Sequence, residues 1–187
     1  MHNLTEQSPK AIYINIEQTP KPIYRNELHQ KNIDMAFERK PRMTTNFTTY
    51  KDQRIFMING KHTGQLGAID MYLAYEIPIR VTNIERTLID ATVRPAYTGG
   101  VSQVLNAYKN AKEHVSINKL CSTLKKLDYI YPYHQAIGFY LSRSGVYKQN
   151  QIDLLKKFKI EKDFYLTHNM SEKDYSKEWK IYYPKGF

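Results

Sequence analysis

The chain has 187 residues, a length that suits one domain, and its 41% apolar content is enough for a buried core. Lys and Arg number 28 against 18 Asp and Glu, so the formal net charge is +10, a balance that favours an anionic partner: DNA, RNA or an anionic membrane surface. A single cysteine, Cys121, excludes an internal disulfide, no Cys/His cluster has zinc-ligand spacing, no apolar run reaches membrane-spanning length, and "MHNLTEQSPK" lacks a signal-peptide core, which together point to a soluble cytoplasmic protein.

In chain order, "AIYINIEQTPKPI" predicts a short strand and a Pro-rich turn, with Ile12, Ile14 and Ile16 giving the period of two. "YRNELHQKNIDMAFERKPR" predicts a helix with Asn26 as a cap, Leu28, Met35 and Phe37 pointing inward, and Pro41 as its end. "MTTNFTTY" and "QRIFMI" have strand length and composition, and Asn59-Gly60 is a tight-turn signal after the second. The segment from Thr63 is ambiguous until "IPIRVT", which alternates as a strand does.

Beyond residue 81 the pattern turns helical. Thr82 and Glu85 have capping-box spacing, Ile84, Leu88 and Ala91 share a face, and Arg94-Pro95 closes the helix. "TGG" predicts a turn, and Val101, Val104, Leu105, Tyr108 and Ala111 form the next apolar stripe. Ser116 caps a further helix carrying Leu120, Leu124 and Leu127. "YIYPYHQ" is an aromatic connection, a helix runs from Tyr133 to Ser144, and Gly145 stops it. A short helix around "IDLLKKF" follows, and "FYLTH" and "EWKIYYP" predict two paired strands. The expected architecture is α+β, a small mixed sheet with about five helices and a C-terminal β-hairpin, in one domain over 1–187.

The charged run "VTNIERTLIDATVRP" admits two readings. As structure, Arg86 and Asp90 are an i,i+4 pair and Glu85 is the return arm of the capping box. As chemistry, a restriction-like nuclease would place Glu85 on an early helix and add an Asp and an E-x-K pair from strands to hold a divalent cation, with Asp163 and Glu178–Lys180 as the candidates. The remaining candidates are sparse. His114, His134 and His168 are scattered, Cys121 has no neighbour that would activate it, and Asp128 reads as a helix terminator. There is no Walker loop and no dinucleotide fingerprint, so no cofactor and no metal is expected.

For nucleic acid, three basic groups stand out. They are Arg39, Lys40 and Arg42 at a helix end, Lys119, Lys125 and Lys126 on the Leu-striped helix, and Lys156, Lys157 and Lys159 near Tyr165. Cations beside aromatic rings suit phosphate contact with base stacking, although no helix-turn-helix recognition helix is visible.

The pieces "PKAIYINIEQTPKP", "NGKHTGQLG", "VTNIERTLIDATVRPAYTGGVSQVLNAY", "LKKLDYIYPYHQAIGFYLSRSG", "DFYLTH" and "WKIYYPKGF" run along almost the whole chain. In them the sequence resembles the AbiEi-type antitoxins of type IV toxin–antitoxin systems, transcriptional regulators of abortive-infection phage defence. The resemblance covers the C-terminal antitoxin part of that family and not its N-terminal winged helix-turn-helix. It implies an α+β antitoxin domain that is not an enzyme. It also implies a nucleotidyltransferase-like toxin as functional partner, without requiring a stable complex. The family motif falls on Glu85, Arg86, Thr87, Asp90, Arg94, Pro95, Gly99 and Gly100. A metal-dependent nuclease and a general nucleic-acid-binding module are the alternatives.

Overall fold

The computed structural model describes residues 2, 4, 11–20, 27–72 and 77–187. The chain divides into two compact units, each taken by itself. The smaller comprises Glu6–Glu27 and Arg42–Leu66, the larger Met1–Thr5, Leu28–Pro41 and Gly67–Phe187.

The smaller unit carries β1 (Ala11–Glu17), β2 (Phe47–Tyr50) and β3 (Gln53–Gly60) in the order β1-β3-β2. β1 runs parallel to β3 and β2 antiparallel. Alternation sends Tyr13, Phe56 and Phe47 to one face, where Tyr13 stacks on Phe56 at 5.5 Å and Phe47 packs on it at 5.3 Å. Ile12, Ile14 and Ile16 alternate with them as the period of two requires, yet they stay 41–47% exposed. Asn59-Gly60 makes no hairpin turn. Gly60 is the buried end of β3, and a Cβ there would lie 2.3 Å from Asn15 Oδ1, so close strand approach is what the glycine serves. The hairpin turn is Lys51-Asp52 instead, with Lys51 at φ 52°.

The larger unit begins with α1 (Gln30–Glu38). Ile33 and Phe37 are its buried residues, one turn apart, while Met35 lies between them on the opposite side and is 45% exposed. The inward assignment of Met35 is therefore corrected. Leu28 precedes the helix, and Asn26 lies outside the described residues. Next come the antiparallel pair β4 (Ala68–Tyr72) and β5 (Pro78–Thr82), then α2 (Ile84–Val93) and a 3₁₀ turn, Pro95–Thr98. They are followed by α3 (Val101–Asn110), α4 (Ile117–Leu127), α5 (Tyr133–Ser144) and α6 (Gln149–Lys156). The chain closes with β6 (Phe164–Tyr165), β7 (Lys173–Ser176) and β8 (Ile181–Pro184) in the order β6-β8-β7. β7 and β8 form the C-terminal hairpin, whereas β6 joins β8 in parallel. The fold is α+β.

The core of this unit is built around α5, buried on every side from Gln135 to Leu141. Tyr140 stacks on Tyr108 of α3 at 5.3 Å, and the Tyr108 hydroxyl is 2.9 Å from Thr92 of α2. α4 buries Ile117, Leu120, Leu124 and Leu127, the stripe that its sequence spacing predicts. Ser116 caps it, accepting from the Lys119 N–H at 3.3 Å, and Gly145 ends α5 in the left-handed conformation at φ 69°. Among the described residues no helix is long and apolar enough to cross a membrane.

Candidate functional site

Construction of the site starts at the head of α2. The cap is Asn83, whose Oδ1 accepts from the Arg86 N–H at 2.9 Å. This corrects the Thr82–Glu85 capping box. Thr82 is the last residue of β5, and with Asn83 as cap the return-arm position falls on Arg86, so Glu85 cannot reach back. The Thr82 hydroxyl instead hydrogen-bonds that of Thr87 at 2.7 Å, and Thr87 also donates to the Asn83 carbonyl at 2.8 Å. Replacing Asn83 with alanine is expected to lower stability by about 1 kcal/mol, measured by urea denaturation, and Thr82→Ala by less, because only the first removes a capping acceptor.

Glu85 turns away from its own helix. It is 3% exposed, accepts from the Ser116 N–H at 3.1 Å and pairs with Lys119 at 3.1 Å, so it ties the start of α2 to the start of α4. Burial pushes its pKa up, but the Ser116 N–H and the Lys119 ammonium outweigh this and hold the carboxyl below its ordinary value. The anion also sits where the α4 dipole favours negative charge.

Arg86 is 5% exposed, and its Nε reaches both Asp90 oxygens at 2.9 and 3.0 Å. Its stem lies against Gly67, where a Cβ would stand 2.8 Å from Arg86 Cβ; Gly67 is also at φ 80°. Asp90 accepts in turn from the Tyr129 hydroxyl. Burial raises the Asp90 carboxyl above its ordinary value despite Arg86, Arg94 and Tyr129 around it. Arg94 caps the end of α2 and donates its N–H to the Asp90 carbonyl at 3.0 Å. Pro95 opens the 3₁₀ turn, and Gly99 and Gly100, at φ 85° and 92°, make the reversal into α3 that L side chains resist. All eight motif positions thus take part in building the α2 region.

The carboxylates that a nuclease would need do not converge. Glu178 and Lys180 lie in the turn before β8, not on a strand, because Lys180 takes a positive φ of 45°. Glu178 pairs with Lys156 at 2.9 Å, and Asp163 accepts from the Tyr175 hydroxyl at 2.6 Å. Among the described residues no group of three or more His, Cys, Asp or Glu side chains is placed to hold a metal ion.

The basic candidates separate into different situations. Lys119 is engaged by Glu85, Lys156 is shared by Asp153 and Glu178 over the Trp179 ring, and Lys159 pairs with Glu161 at 2.5 Å. Arg39 and Lys40 follow α1, while Arg42 belongs to the smaller unit. Lys125 and Lys126 are exposed in the last turn of α4, and Lys157 is exposed just past α6. Between these two helix ends opens a cleft of about 190 Å³ lined by Leu124, Lys125, Asp128, Tyr129, Tyr131, Tyr133, His134 and Phe158. His134 stacks on Phe158 at 5.3 Å, and its Nε2 is 3.1 Å from the Lys159 carbonyl. Burial pushes its pKa down to about 4 against that hydrogen bond, so it is a neutral wall and not a cation at physiological pH. Cys121 is pushed up to about 11 by burial, which makes it an unreactive thiol.

Two features escaped sequence reasoning. Gln135 is fully buried, and its Nε2 faces the carbonyls of Lys162, Trp179 and Lys180 at 2.9, 2.7 and 3.0 Å, fastening α5 to the turn before β8. Its only signal was an amide immediately before the apolar run "AIGFYL". The cleft itself was announced only by tyrosines at every second position, Tyr129, Tyr131 and Tyr133. No protein-family model matches the chain, and no curated protein matches it.

Proposed function

We propose that this chain is a cytoplasmic, non-enzymatic antitoxin-type domain of a phage-defence toxin–antitoxin pair. It counters a nucleotidyltransferase-like toxin and contacts nucleic acid through lysines of its larger unit. The observation that carries this reading is the condition of the motif on which the resemblance rests. Glu85 is committed to the head of α4, and Arg86 and Asp90 to each other and to Tyr129. Those side chains have partners that hold one element of the fold, the task the scaffold of a binding domain gives them. The +10 net charge supplies the attraction for an anionic target.

The test is co-expression with a nucleotidyltransferase-like toxin encoded beside this chain. Growth is expected to be restored by the wild type and by Glu178→Ala, which touches only an exposed ion pair. Persistent growth arrest in the presence of folded protein rejects the antitoxin reading.

A further inference from the structure

The aromatic cleft has the chemistry of a base-binding slot. Its walls are fixed from behind. The Tyr129 hydroxyl is held by Asp90, itself clamped by Arg86, and the Tyr129 ring meets Tyr133 edge-on at 5.2 Å and 77°. Tyr131 is braced edge-on against Phe37 at 5.5 Å, and Phe158 lies parallel to His134 within 17°. The backbone makes the opening. Asp128 ends α4 in the left-handed conformation at φ 48°, and Pro132 precedes α5, so the tyrosines between them stand apart from both helices. The rings are half-buried and line the cleft.

Size and charge choose the occupant. About 190 Å³ is below the roughly 300–1,000 Å³ of pockets that enclose a whole small-molecule ligand, so the cleft admits one planar heterocycle and leaves the rest outside. What lies outside meets Lys125, the cation of the lining, whose one carboxylate is Asp128; Lys157 is exposed next to Phe158 in the chain. A lysine on the rim of an aromatic slot suits a base flanked by phosphate. A base inside a duplex cannot enter, because its faces are covered by its neighbours.

The geometry points to this cleft as a site that takes one unstacked base of a single-stranded nucleic acid, with an adjoining phosphate on Lys125. It rests on the nucleic-acid contact proposed above and narrows it to one place and one class of ligand. Tyr129 links the site to the motif: the Arg86–Asp90 pair orients a ring that the base stacks against or beside.

The experiment uses the full chain and short DNA and RNA single strands, each carrying a fluorescent adenine analogue, with abasic strands of equal length as the control. Binding is read by anisotropy and stacking by quenching of the analogue. The wild type is expected to quench the analogue and to bind the base-bearing strand roughly tenfold more tightly than the abasic one, the size of one stacking contact. Phe158→Leu should remove that difference while leaving the abasic affinity unchanged, and Lys125→Ala should weaken both strands alike. Retained Trp179 emission certifies that each variant is folded. Equal affinity for the two strands, or an equal loss for both in Phe158→Leu, would overturn the site while leaving nucleic-acid contact in place. No binding to any strand would overturn the contact as well. Competition by adenosine monophosphate as strong as that of the strand would reassign the cleft to free nucleotides and overturn the strand proposal.

Discussion

Gly138→Ala is expected to destabilise the larger unit by about 3 kcal/mol, at the upper end of what overpacking a core costs. Helix propensity alone predicts the opposite, a gain of about 1 kcal/mol for alanine over glycine inside a helix. The difference is Trp179. A Cβ on Gly138 would stand 2.2, 2.3 and 2.6 Å from three ring atoms of a side chain that is 1% exposed. The indole has little freedom to withdraw. Its Nε1–H donates to Ser142 Oγ at 3.0 Å, and its carbonyl is held by the Gln135 amide at 2.7 Å. Urea denaturation should show a lower midpoint, and since Trp179 is the chain's one tryptophan, its emission reports the site directly. The loss should shrink when Trp179→Leu is combined with Gly138→Ala, because the two side chains no longer compete for the space. A stabilised Gly138→Ala protein would mean that the indole does not lie against α5.

Glu85→Ala is the second large effect, about 2–3 kcal/mol. It removes the charged acceptor of the part-buried Ser116 N–H, a hydrogen bond of about 1.5–3 kcal/mol, and the anion that faces the head of α4. Lys119 is 56% exposed and returns to water, so the cost stays below that of breaking a fully buried ion pair. The pH dependence follows from the lowered carboxyl. A folded-state pKa below the unfolded one contributes stability that is fully present above the unfolded value of 4.5 and is lost as pH falls through the folded value. Glu85→Gln should therefore flatten the acid limb of a stability-versus-pH curve and converge on the wild type at the lowest pH. Asp90 works in the other sense. Its carboxyl is raised by burial, so the fold takes up that proton first and regains some stability on acidification. An acid limb unchanged by Glu85→Gln would show that the contact with α4 does not lower this carboxyl.

Several elements were legible because their signals are local. The Ser116 cap, the Leu120-Leu124-Leu127 stripe and Gly145 at the end of α5 each depend on residues within one or two turns, and each sits where spacing puts it. Where sequence reasoning slipped, a choice between neighbours was made by something distant. Asn83 outranks Thr82 as the cap because Thr82 is still paired to Ala68 in the β4–β5 ladder. Asn59-Gly60 serves contact with Asn15 and not a turn, because β1 lies beside it in the sheet.

The sequence by itself determined the α+β class, the bounds of α4 and α5 and the i,i+4 meeting of Arg86 with Asp90, since period, caps and helix geometry are properties of short segments. Only the tertiary structure decided that Glu85 answers to Ser116 and Lys119, that Gly138 makes room for Trp179, and that Tyr129, Lys125 and Phe158 line one cleft. Those contacts join residues dozens of positions apart. Their energies depend on which surfaces the packed helices bring within a few ångströms, and no local pattern encodes that distance.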